Sequence, residues 1–142
     1  MTYRYLFALA CSGLLFTPAW ALDATADIKV SPLLQTDQSW NGTALHYPAG
    51  HPAVSAMLIE IAPGAQTGWH LHEVPSFAYV LDGELEVELK NGSRYRAGKG
   101  DSFAEVVNTL HNGRNVGSTP VRLLVWYISA TDKQLTRKEA AK

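Results

Sequence analysis

The sequence predicts one all-β domain, a sandwich or barrel, behind a cleaved leader. Three observations carry that expectation. Short apolar segments rich in Val, Ile and aromatic residues recur along the chain, and Gly, Asn and Pro turns separate them. The stretch Glu84–Leu89 alternates apolar and charged residues strictly, the period of a half-buried strand. No helical periodicity is convincing before the polar tail, and no internal repeat marks a solenoid or propeller. With 142 residues the chain can build one substantial core but not two.

Charge removes some partners. Twelve basic residues nearly balance thirteen acidic ones. That gives no electrostatic footprint for nucleic acid or for an anionic membrane. The chain also lacks a Gly-rich nucleotide loop and a strongly basic cluster suited to phosphate.

Residues Met1–Ala21 read as a secretory signal peptide. Arg4 marks a short basic region, Leu6–Phe16 is apolar but too short to span a bilayer comfortably, and Pro18 breaks it. Ala19-Trp20-Ala21 then has the small-x-small pattern of a cleavage site, so residues 22–142 form the mature domain. The leader lacks a twin-Arg pair, which points to export unfolded, and a periplasmic or secreted location with no membrane attachment after cleavage. The only cysteine, Cys11, lies in the leader, and its surroundings do not fit a lipoprotein signal. The mature protein therefore has no disulfide, and any metal site in it must use nitrogen and oxygen donors.

In chain order, Ile28-Lys29-Val30 is expected to form one short strand, at a sheet edge or against a second subunit, and Gln35–Gly42 is polar and turn-rich. His46 and His51 sit among Pro48, Gly50 and Pro52, in a loop, where histidines are usually solvated. Strands are expected from Val54 to Ile61, around Trp69–His72, and over Phe77–Leu81. Asp82-Gly83 reads as a hairpin turn into Glu84–Leu89, whose leucines and valine face the core and whose three glutamates face water. Asn91-Gly92 reads as a second hairpin, leading into Ser93–Ala97. Ser102–Val107 is a further strand, Asn108–Gly113 a turn around His111, and Val121–Ile128 a long buried strand. Thr131–Lys142 reads as a frayed tail or short helix.

The chemistry is expected at the pair His70 and His72. Side chains two apart on a strand share a face, so both imidazoles project together while Leu71 points away. Two imidazoles on rigid backbone are half of a metal site. His111 follows about forty residues later, past two hairpins, a separation that an antiparallel barrel can bring back beside the first strand.

Gly64-x5-His70-x-His72 followed by Gly100-x10-His111-x3-Asn115 resembles the paired motifs of the cupin superfamily. Phe77–Glu84 is similar to the strand and turn that follow the first of them, and the resemblance covers about residues 54–129. It implies a double-stranded β-helix, or jelly-roll barrel, with a divalent transition metal (Zn, Cu, Fe, Ni or Mn) held inside by His70, His72 and His111. Many cupins place a metal-binding Glu four residues after the second His; here that position is Ser76. Val106 and Asn108 stand where the second motif usually has Pro and Gly. Asn115 is a family position whose role is expected to be a structural turn.

Two carboxylates are candidates for the missing ligand. Glu73 adjoins His72, but strand alternation turns it away. Glu105 shares a strand face with Phe103, so an inward Phe103 implies an inward Glu105, which would serve as fourth ligand or general base. Trp69, Tyr79, Phe103, Trp126 and Tyr127 are candidates to shape the cavity, and of the last two only one can face inward.

Three neutral imidazoles leave open coordination positions, the arrangement of a catalytic metal. The cupin resemblance implies family chemistries of dioxygenase, isomerase and decarboxylase type, and with it the expected function is an exported metal-dependent enzyme, an oxygenase first, on a small organic acid or phenol. The alternative is a non-catalytic module that binds a metal or small ligand, and a third reading is an empty structural barrel. The cupin resemblance also implies a homodimer.

Overall fold

A computed structural model describes residues 25–140. The chain divides into Met1–Ser31 and Pro32–Lys142. Of the first unit only an isolated antiparallel bridge between Thr25 and Ile28 is described, so the strand expected over Ile28–Val30 does not form. The predicted leader lies outside the described residues.

The second unit is all β, as the sequence predicts. Its strands are β1 (Pro52–Ile61), β2 (His70–Leu71), β3 (Ser76–Asp82), β4 (Glu84–Leu89), β5 (Arg94–Gly98), β6 (Ser102–Ala104), β7 (His111–Asn115), β8 (Val121–Ala130) and β9 (Arg137–Lys138). They form two antiparallel sheets, in the orders β1-β8-β3-β6 and β5-β4-β7-β2-β9. Consecutive strands repeatedly land in different sheets, which is the jelly-roll way of folding one chain into two facing layers.

One apolar cluster lies between the layers. β8 supplies Val121, Leu123, Val125 and Tyr127, every second residue, while Arg122 and Trp126 point outward. β3 adds Ala78 and Val80, and β4 of the other sheet adds Leu85 and Val87. Val80 and Val121 are completely buried. Each such side chain contributes about 1.5–3 kcal/mol, and no cysteine lies among the described residues to add a disulfide to that.

Four expectations are corrected. Asp82-Gly83 does not close a hairpin, because β3 and β4 belong to different sheets. It is the corner where the chain changes layer. Gly83 has φ +83°, and a Cβ there would lie 2.7 Å from both the Pro120 carbonyl oxygen and the Val121 Cα. The turn signal was real; the close backbone crossing gives it another use. Glu86 is not solvated: it is buried, and its carboxylate accepts from Arg96 Nε at 2.8 Å and Arg94 Nη1 at 3.4 Å. Two arginines on the neighbouring β5 cover it, which alternation on β4 alone cannot show. His111 does not lie in a turn but opens β7. Finally, Thr131–Lys142 is neither frayed nor helical over its described part; it returns to the second sheet and pairs β9 against β2. By contrast Asn91-Gly92 is the hairpin expected, closing β4 onto β5 with a Leu89 N–H to Ser93 carbonyl bond of 2.9 Å.

Candidate metal centre

The two-residue spacing and the ladder registers assemble the site. His70 on β2 and His111 on β7 are direct cross-strand partners. His72 follows β2 at once and forms an isolated parallel bridge with Val107. The three rings meet with centroids 4.3 to 5.0 Å apart. One ligand nitrogen from each lies within 4.8 Å of the others. His72 and His111 are buried, and His70 is half-buried. His46 and His51 are exposed and outside this group, as their loop context implied.

The fit to a metal can be tested on the other ring nitrogens. His70 Nδ1 donates to the Gly68 carbonyl at 2.8 Å and His111 Nδ1 to the Thr109 carbonyl at 2.8 Å. His72 Nδ1 donates to the Leu135 carbonyl at 2.9 Å, with Thr136 Oγ1 at 3.1 Å. A carbonyl oxygen only accepts, so each Nδ1 carries the proton and each Nε2 keeps its lone pair. That tautomer, fixed by an outer hydrogen bond, is how protein imidazoles are prepared for a metal. Burial lowers the His70 pKa, against the Gly68 carbonyl that raises it. Burial likewise lowers His72 to about 4, against the Leu135 carbonyl, and the neighbouring His111 and His70 push the same way as burial. Both rings are neutral near pH 7. The donor set therefore suits a divalent transition metal.

A cavity of about 60 Å³ opens in front of the imidazoles. Ligand sites for drug-sized molecules run to ~300 Å³ or more, so only a very small molecule, or one end of a larger one, enters. Its polar lining besides the histidines includes Ser76, Glu105 and Tyr127, and the rest is largely aliphatic with Phe103. Glu105 and Phe103 do share the inward face, as expected. Glu105 is anchored, however: its Oε1 accepts from Trp40 Nε1 at 2.9 Å and from the Val106 N–H at 3.0 Å. Its carboxylate is not one of the mutually close ligand atoms. Glu73 is turned away and pairs with Arg137 at 2.7 Å. Ser76 Oγ is buried without a hydrogen-bond partner, the one such side-chain atom among the described residues. Burial raises the Tyr127 pKa, against a side-chain hydrogen bond with Thr136 that lowers it, and the charge of Glu105 adds to the rise, so the hydroxyl stays protonated.

Other expectations sort by geometry. Asn115 is structural: buried, it donates to the Ile61 and Thr119 carbonyls and accepts from the Gly117 N–H. Of the five aromatics, Phe103 and Tyr127 line the cavity. Trp126 points to solvent, Tyr79 is not in the lining, and Trp69 lies under Lys90 Nζ at 3.9 Å. Sequence reading missed Trp40 and the carbonyl of Leu135. A lone tryptophan in the polar stretch Gln35–Gly42 was a signal for the first; a main-chain carbonyl carries no signal in sequence.

A family model described as "Cupin domain" matches residues 57–127. No curated protein matches the chain by sequence. Among solved structures, an oxalate decarboxylase from Lactobacillus farciminis in complex with formate superposes with a TM-score of 0.52 at 21% identity, covering 60% of this chain and 26% of that one. A cupin domain from Schizosaccharomyces pombe gives 0.50 at 23% identity, covering 55% and 57%. A DMSP lyase from Ruegeria pomeroyi gives 0.52 at 20%, covering 60% and 42%. The matched part thus spans between about a quarter and three-fifths of these three chains, and the likeness is one of fold. With half of its length matched by the family model, and with two histidines of the first motif and one of the second meeting across β2 and β7, this chain belongs to the cupin superfamily.

Proposed function

We propose that this chain is an exported, metal-dependent cupin enzyme of oxygenase type that acts on a small organic acid. The observation that carries the reading is the convergence of three imidazoles, each with its Nδ1 proton fixed on a carbonyl. A divalent metal held there supplies Lewis acidity and, if it is Cu or Fe, redox chemistry towards dioxygen. Export favours Cu or Zn by the order of intrinsic affinities. The size of the cavity supports a small substrate, and the acids and lyase substrate named for the structural relatives are of that kind.

The chain's own residues have separate tasks. The aliphatic walls exclude water from the polar end of the substrate. Glu105, whose Oε1 is held by Trp40, would take or give a proton with its second oxygen. The Tyr127 hydroxyl, kept protonated, is a donor beside His72. A non-catalytic metal- or ligand-binding module is the second reading, favoured by the tie of Glu105 to Trp40.

Elemental mass spectrometry on the mature protein and on a His70→Ala/His72→Ala variant tests the centre. We expect near-stoichiometric metal in the first and none in the second. Oxygen consumption with a panel of small organic acids then tests the enzyme, and Glu105→Gln should abolish turnover. Metal without any turnover supports the binding module; no metal even after reconstitution refutes the enzyme and leaves only the ligand-binding form of the second reading.

A further inference from the structure

The cavity has two walls of different chemistry. His70 and His111 come from the five-stranded sheet. Facing them, the four-stranded sheet carries a row of oxygen-bearing side chains. Ser76 is the cross-strand partner of Tyr127, and the Ser76 carbonyl accepts from the Glu105 N–H at 2.9 Å. Tyr127 and Ser76 thus stand side by side on β8 and β3, Glu105 follows the end of β6 beside Ser76, and all three line the same cavity. Cross-strand neighbours on one face have Cβ atoms about 4.5–5.5 Å apart, so the middle residue can share a ligand with either side.

Two of the three are engaged. Glu105 holds Trp40, and the Tyr127 ring packs edge-on to His72 with centroids 5.2 Å apart. Ser76, 1% exposed, has no partner for its hydroxyl. A buried hydroxyl without a partner is costly and is usually satisfied by something that binds. Charge says what kind of group that is. Three neutral imidazoles leave a dication uncompensated, and the Glu105 carboxylate cancels only half of it. One further negative charge would balance the site in its apolar surroundings.

We propose that Ser76 is a ligand-recognition residue, donating its hydroxyl proton to an oxygen of a small singly charged anion, such as a carboxylate, seated between the two walls. This rests on the metal-centre reading above and adds to it the residue that selects the ligand. A carboxylate presents two oxygens, one for the imidazole side and one for Ser76, and a group this small suits a cavity of about 60 Å³.

The test uses cobalt(II) as the metal probe and acetate as the anion, with visible absorption as readout. Wild type, Ser76→Ala and Ser76→Thr should each take one cobalt per chain. Acetate should bind about 10-fold more weakly to Ser76→Ala, the loss of one hydrogen bond to a charged acceptor. Ser76→Thr, which keeps a hydroxyl, should retain most of the affinity. The metal-free Ser76→Ala protein should melt no lower than the wild type, because it loses an unsatisfied group; a clear drop would indicate a structural hydroxyl and overturn the assignment. Equal acetate affinity in wild type and Ser76→Ala, or none in the wild type, overturns it too. A wild type that takes up no cobalt instead overturns the metal centre itself.

Discussion

Acid should weaken the metal-free protein well before its carboxylates protonate, and His72 sets the size of the effect. Its pKa is held at about 4 in the fold, by burial first, against an ordinary value of 6.5. The folded state keeps the ring neutral while the unfolded chain takes up a proton. Stability is therefore fully present above pH 6.5 and is lost progressively as pH falls from there to about 4. A difference of some 2.5 units corresponds to ~3 kcal/mol at 1.36 kcal/mol per unit. His70 is lowered too and acts in the same direction. Against a total of roughly 5–15 kcal/mol for a domain of this size, such a loss is large. The assay is urea denaturation after chelation, at intervals between pH 7.5 and 4.5, on wild type and His72→Gln. The wild type should lose midpoint steadily through this window and the variant should lose much less. Equal slopes in the two proteins, or a flat wild-type profile, would refute the burial argument.

Three further outcomes follow from the geometry. Gly83→Ala should cost more than about 2 kcal/mol in denaturant, since its Cβ meets the Pro120 carbonyl and its φ is positive. Glu86→Ala should cost only about 1–2 kcal/mol, because Arg94 and Arg96 are largely exposed and regain water when their partner is removed; salt titration of the wild-type midpoint checks the same point. Deleting residues 131–142 removes the Leu135 and Thr136 contacts to His72; metal affinity, followed by competition with a chelator, should fall about 10- to 100-fold.

The fold was legible where local chemistry and tertiary role coincide. Val121–Ile128 is an almost unbroken apolar, β-prone run and forms β8, although only one of its faces is fully buried, and Asn91-Gly92 closes the hairpin its residues favour. Glu86 and Asp82-Gly83 were misread for one reason: the partner that decides their role is distant in sequence. Only the pairing of β4 with β5 brings arginines over Glu86, and only the approach of Pro120 shows why Gly83 is needed. The histidines were legible because a spacing of two is itself geometry on a strand. What orients them was not, because Gly68, Thr109 and Leu135 act through main-chain carbonyls that any residue possesses.

The pairing of β9 with β2 spans only two residues, and both are exposed. Short, solvent-accessible ladders open at a small fraction of the free energy needed to unfold a domain. The outer support of His72 should therefore open more often than the rest of the barrel. Metal exchange would follow that opening, with a rate set by the lifetime of the docked segment rather than by global unfolding. Amide hydrogen exchange at Glu139, whose N–H is bonded to the Trp69 carbonyl, reads the same opening directly. If it and metal release respond in parallel to a Lys90→Ala change, which removes the 2.8 Å ion pair to Glu139, the segment is the exit route; if release ignores it, the ion leaves through the cavity mouth.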